Sequence, residues 1–95
     1  MRKLRIGDRE WTVKELEDWT FGEFNRIIDR ATILDPRSGL MKQLNEIYKT
    51  EVLKAGVIEP RIDDEAIAKL DLVTGERLFR EVQPQVPFEE SQPES

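Results

Sequence analysis

The sequence predicts a mainly α fold: a small helical domain of about four helices with an N-terminal β-hairpin and a disordered C-terminal tail. Three observations lead there. Strict apolar–polar alternation is confined to the first thirteen residues. Apolar residues then recur at helical spacing from Phe21 to Val82. From Pro84 onward, Pro and Glu take over. The domain is assigned to residues 1–83 and the tail to residues 84–95.

The hairpin is read from KLRIGDREWTV, where Lys3–Ile6 and Glu10–Val13 flank Gly7-Asp8-Arg9. Leu4 and Ile6 alternate with Lys3 and Arg5; Trp11 and Val13 alternate with Glu10 and Thr12. A lone hairpin is marginal in water, so its apolar face must lie on helices. Residues 14–19 read as one helical turn or a link.

Thr20 followed by Glu23 is a capping box: the hydroxyl accepts an early backbone N–H and the carboxylate reaches back to the cap. Phe21, Phe24, Ile27, Ile28, Ala31 and Leu34 form the stripe of a first helix, from about Phe21 to Ile33. Asp35-Pro36 ends it, because proline disfavours helix at the residue before it. A second stripe, Leu40, Met41, Leu44, Ile47, Tyr48, Val52 and Ala55, predicts the longest helix, from about Gly39 to Ala55. Its outer face offers Glu46 to Lys49 and Glu51 to Lys54, i,i+3 pairs worth roughly 0.2–0.5 kcal/mol each.

The stretch AGVIEPRID, residues 55–63, stops that helix. Gly56 suits the left-handed residue that closes a helix, and Val57 the apolar residue that folds back on the last turn. Pro60 forbids continuation. Asp63, Asp64 and Glu65 start a short third helix, where acid complements exposed N–H groups, with Ala66, Ile67 and Leu70 as its apolar edge. Leu72-Val73 read as a link, Thr74 as an N-cap, and Leu78, Phe79 and Val82 as marks of a fourth helix from about Gly75 to Glu81. The tail PQVPFEESQPES holds three of the five prolines, three Glu and no basic residue. Such a composition cannot bury enough apolar area to offset ordering entropy.

Composition narrows the function. The 95 residues contain no Cys and no His, and carry a net charge of −5 with 37% charged residues. Disulfides, thiolate metal sites and the commonest general base are excluded. The remaining Asp, Glu, Lys, Ser, Thr and Tyr48 form no spaced constellation, so the chain reads as a non-enzyme with no cofactor. The acidic balance argues against nucleic acid as a partner. No apolar run approaches the ~18 residues needed to span a bilayer, so no membrane partner is expected. The N-terminus lacks the apolar core of a signal peptide, and the chain reads as soluble and intracellular.

Candidate partner-binding residues are therefore apolar. Trp11 and Trp19 seal a core or serve as aromatic anchors. Val57, Ile58, Pro60 and Ile62 surround the helix stop; Ile58 and Ile62 face either the core or an apolar groove. Phe88 is the only aromatic of the tail and has the look of a short docking motif. Arg2, Lys3, Arg5 and Arg9 are read as charge protecting an edge strand, or as a patch for an acidic partner. Asp63-Asp64-Glu65 lacks the alternating ligand spacing of a calcium loop.

The order of elements resembles the small tail assembly chaperones of long-tailed bacteriophages. The resemblance lies in a helix running into Val57-Ile58-Glu59-Pro60, a short helix started by acid, and an ending with Gly75, Leu78 and Val82. It covers roughly residues 10–83 and is sharpest over 55–82. It implies a non-enzymatic protein that binds the tape measure protein, keeps it soluble and helps recruit tail tube protein. It also implies action in the host cytoplasm, absence from the mature virion, self-association as a homo-oligomer, and in many members a longer frameshifted form. Two other readings are a structural virion component, such as a head–tail connector or neck protein, and a small DNA-associated regulator.

Overall fold

The structure is a computed structural model that describes residues 1–85. The hairpin forms where alternation placed it. Strand β1 (Arg2–Ile6) pairs antiparallel with β2 (Arg9–Val13), Leu4 facing Trp11 and Ile6 facing Arg9. Gly7 turns the chain at φ 65°, the left-handed conformation that primed hairpin turns require at their first position. Leu4, Ile6, Trp11 and Val13 face inward, while Lys3 and Arg5 face water.

A 3-10 turn (Leu16–Asp18) comes next, with Glu15 and Asp18 forming a capping box of their own. Helix α1 (Phe21–Ala31) begins on the predicted box: Thr20 Oγ1 accepts from Glu23 N at 3.1 Å and Glu23 Oε1 accepts from Thr20 N at 3.0 Å.

The mainly α expectation is overturned. The described residues form a mixed fold of four helices, a three-stranded antiparallel sheet and a separate two-stranded sheet. Two segments with helical spacing are strands. The first helix, expected to reach Ile33, stops at Ala31, where β-branched Thr32 and Ile33 favour extended backbone. Thr32 Oγ1 donates to Ile28 O at 2.6 Å and holds that exit. Strand β3 (Thr32–Leu34) then pairs with β4 (Met41–Gln43), Leu34 opposite Met41. In their turn Asp35 Oδ1 accepts from Arg37 N at 3.0 Å, and Gly39 adopts φ 72°. That left-handed glycine, expected to open the second helix, instead closes a turn. Helix α2 (Asn45–Gly56) is correspondingly shorter than expected.

The second correction concerns AGVIEPRID. Gly56 is the last residue of α2, not a left-handed cap, and Val57 does not fold back on the helix. The chain runs straight into β5 (Val57–Glu59), which pairs antiparallel with β2 to give the sheet order β1-β2-β5. Val13 lies opposite Val57, and Lys14 N donates to Gly56 O at 2.8 Å. Consecutive β-branched Val57 and Ile58 stabilise the extended chain.

Helix α3 (Asp64–Ala68) starts at the acidic run, with Asp63 Oδ1 accepting from Ala66 N at 2.9 Å. Helix α4 (Leu72–Val82) starts earlier than expected: Asp71, not Thr74, is its cap, accepting from Thr74 N at 3.1 Å. The predicted Glu51–Lys54 pair forms at 3.5 Å, whereas Lys49 turns to Glu76 of α4 at 3.0 Å.

The core lies between the inner face of the sheet and helices α1, α2 and α4. It gathers Ile6, Trp11, Val13, Ile27, Ala31, Tyr48, Val52, Leu53, Val57, Leu78 and Val82. Trp11 is fully buried, and removing its ring from water contributes about 4–6 kcal/mol by area. Arg2 ties β1 to the end of α4 through Glu81. The tail expected at 84–95 and its docking residue Phe88 lie, beyond Gln85, outside the described residues.

Candidate functional site

Where the 3-10 turn, α1 and the end of α4 converge, the surface opens into an apolar groove of about 380 Å³. Leu16, Trp19, Thr20, Phe21, Phe24 and Pro84 line it. Its position arises from local chemistry. The capping box at Glu15 fixes the 3-10 turn and presents Leu16 outward. Trp19 leaves that turn in extended backbone, φ −87° and ψ 141°, and lies across the end of α2 beside Gly56. The second capping box then starts α1 one residue after Thr20, so Phe21 occupies the first helical position. A helical side chain leans toward the helix N-terminus, and at the first position no preceding turn lies beneath it. Phe21 is accordingly 81% exposed. Phe24, three residues on, is half-buried against the core. On the far side α4 ends at Val82, and Gln83 leads extended into Pro84.

Charge borders the groove without filling it. Lys14 Nζ sits 4.7 Å from the Trp19 ring centroid and 2.8 Å from Glu23 Oε2. The Lys14 ammonium, and after it the Thr20 N–H, holds the Glu23 carboxyl below its ordinary value. The Met1 amino group, and after it the Glu15 N–H, does the same for Asp18. Trp19 Nε1 is buried without a hydrogen-bond partner among the described residues. The lining offers aromatic and aliphatic surface, suited to apolar side chains on a peptide segment.

The seven candidate residues do not come together. Trp19 lines the groove. Trp11 and Val57 are fully buried in the core. Ile58 is half-buried on β5, and Pro60 half-buried beyond it. Ile62 packs against the core from outside. Phe88 lies beyond the described residues. Sequence reasoning misses Leu16, Phe21, Phe24 and Pro84 as site residues, because it counts Phe21 and Phe24 into a core stripe. The available signal is Phe21's place directly after an N-cap, where a side chain overhangs the helix end.

Two further apolar surfaces are exposed. The β3–β4 arm presents Ile33, Leu34, Leu40 and Met41, the last two 68% and 69% exposed. Leu72 and Val73 stand out on the first turn of α4. Elsewhere three cations have local partners: Arg9 covers Trp11 at 4.5 Å, Lys54 meets Asp64 at 2.8 Å, and Lys69 meets Glu65 at 3.1 Å. Among the described residues no group of three or more acidic side chains is placed to hold a metal ion. No helix among them is long and apolar enough to cross a membrane. The chain matches no family model, no curated protein and no solved structure.

Proposed function

We propose that this chain is a non-enzymatic tail assembly chaperone of the long-tailed phage type. It binds a tape measure protein, keeps it soluble and brings tail tube subunits to it in the host cytoplasm, leaving before the virion is complete. The observation that carries the reading is the aromatic groove of Trp19, Phe21 and Phe24 on a domain so densely charged. A holdase needs apolar surface for its client and charge enough to stay dispersed while exposing that surface. An amphipathic client helix laid along the groove would insert apolar anchors one turn apart. Several copies on one long client, aided by self-association, would raise apparent affinity without tighter single contacts.

Co-expression with a tape measure protein from the same genome tests this. The expected outcome is a several-fold rise in soluble client, lost with Phe21→Glu, a change at an exposed position that leaves the fold intact. Equal insolubility of the client with and without this chain overturns the proposal. Mass spectrometry of finished particles separates it from the connector or neck reading: a chaperone is absent, a virion component retained.

A further inference from the structure

We propose that two copies of this chain join through the β3–β4 arm, β4 against β4, antiparallel about a two-fold axis at Met41. The joined arms form one four-stranded sheet in the order β3-β4-β4-β3. This gives self-association a definite surface, and it rests on the arm alone, not on the client.

The arm leaves one backbone edge open. Asp35 N donates to Leu40 O at 2.8 Å and Leu44 N to Ala31 O at 2.7 Å. Antiparallel ladder bonds join every second pair of facing residues, so Ile33 and Lys42 carry the bonds between these two. Met41 and Gln43 therefore turn their N–H and C=O groups away from β3, and no strand among the described residues lies beyond them. The outer edge of β3 is less free, because Thr32 N donates to Asp29 O. The remaining edges are guarded against pairing: β1 carries Arg2, Lys3 and Arg5, and β5 runs into Pro60.

The side chains select a second copy and its register. Leu34 and Met41 face each other on one side of the arm, 60% and 69% exposed. Setting Met41 opposite Met41 of the second copy continues that row as Leu34-Met41-Met41-Leu34, and the two Met41 residues exchange N–H···O bonds. On the other side each Lys42 then lies opposite Leu40 of the second copy, where its stem packs while the ammonium stays in water. The next in-phase register sets Lys42 against Lys42, and like charges directly opposite destabilise a strand pair. Lys42 thus fixes the register. Ile33, Leu34, Leu40 and Met41 leave roughly 450 Å² bare per copy, within the range at which an exposed patch marks an interaction site. That is below the ~800 Å² each partner gives to a standard interface, so the dimer is expected to be weak and concentration-dependent. No arm residue lines the aromatic groove, so a dimer keeps two grooves open.

The test is sedimentation equilibrium of the full chain over about a hundredfold range of concentration in the micromolar region. The mass is expected to rise from the 11.1 kDa of one chain toward twice that. Met41→Lys and Met41→Glu, each alone, are expected to weaken dimerisation about tenfold or more by setting like charges on the axis. Mixed in equal amounts they are expected to recover it, which also shows that both variants fold. Leu72→Lys, at a position 78% exposed outside the arm, is expected to change nothing. A mass fixed at one chain overturns the proposal. So does dimerisation that survives Met41→Lys, or that the mixture fails to recover. Dimerisation is read on the isolated chain and client solubility in co-expression, so either proposal can fail without the other.

Discussion

A methyl group on Gly56 would lie 3.0 Å from Cζ2 of Trp19 and 3.1 Å from Cβ of Val82. Neither neighbour is the free end of a flexible chain: one is part of a ring, the other is fixed to the α4 backbone. Gly56 is thus required by close approach rather than by backbone conformation. It lets α2, α4 and the groove-lining Trp19 meet at backbone distance. Gly56→Ala gains about 1 kcal/mol of helix propensity but overpacks the junction by about 1–3 kcal/mol. The expected result is a net loss of about 1 kcal/mol by urea unfolding, with a shifted Trp19 emission. Gly75 behaves oppositely. A Cβ there comes no nearer than 3.9 Å to Leu70, so Gly75→Ala is expected to be neutral or stabilising in the same assay.

At the scale of elements, the cap that starts α4 decides how much of the chain is helical. Asp71 accepts from Thr74 N, and the Thr74 side chain, followed by that backbone N–H, holds its carboxyl below the ordinary value. Asp71→Ala is expected to lower stability by about 1 kcal/mol and to fray the first turn, read as lost amide protection at Gly75. The local signals are legible in the sequence: the hairpin, the Thr20–Glu23 box and the acidic start of α3 rest on contacts between near neighbours. The illegible parts depend on distant partners. Val57 and Ile58 read as a helix stop because their strand partner, β2, lies more than forty residues away. Leu40 and Met41 fit a helical stripe, yet Gly39 at φ 72° sends them into β4. The groove is hidden for a similar reason. Phe21 matches the α1 stripe by spacing, but among the described residues nothing beyond the helix end reaches back to cover it.

For the whole molecule, acidity at selected sites sets the pH response. Glu23, Asp18 and Asp71 all titrate below their ordinary values. A depressed folded-state pKa adds stability that is complete above the unfolded value and is lost as pH falls through the folded one. The ordinary values are 3.8 for Asp and 4.5 for Glu, so the loss sets in below about pH 5 and deepens below 4. Lys54, raised by Asp64, and the Met1 amino group, raised by Asp18, act at the other end. Their contribution is present below the unfolded value and fades as pH rises through the raised one. Thermal melts from pH 2 to 10 should show a plateau between roughly pH 5 and 8. Glu23→Gln should shrink the acid-side drop and leave the alkaline side unchanged.

The pairing of Val13 with Val57 also bears on how the protein is born. On a ribosome the β1–β2 hairpin emerges early, with one edge of β2 open. The strand that closes that edge is still unsynthesised, and at ~5–20 residues per second it arrives roughly 2–9 seconds later. During that interval Trp11 and Val13 have neither β5 nor α4 to cover them. The nascent sheet therefore waits for α1, the arm and α2 to be made, and the core closes only when the C-terminal third of the chain arrives.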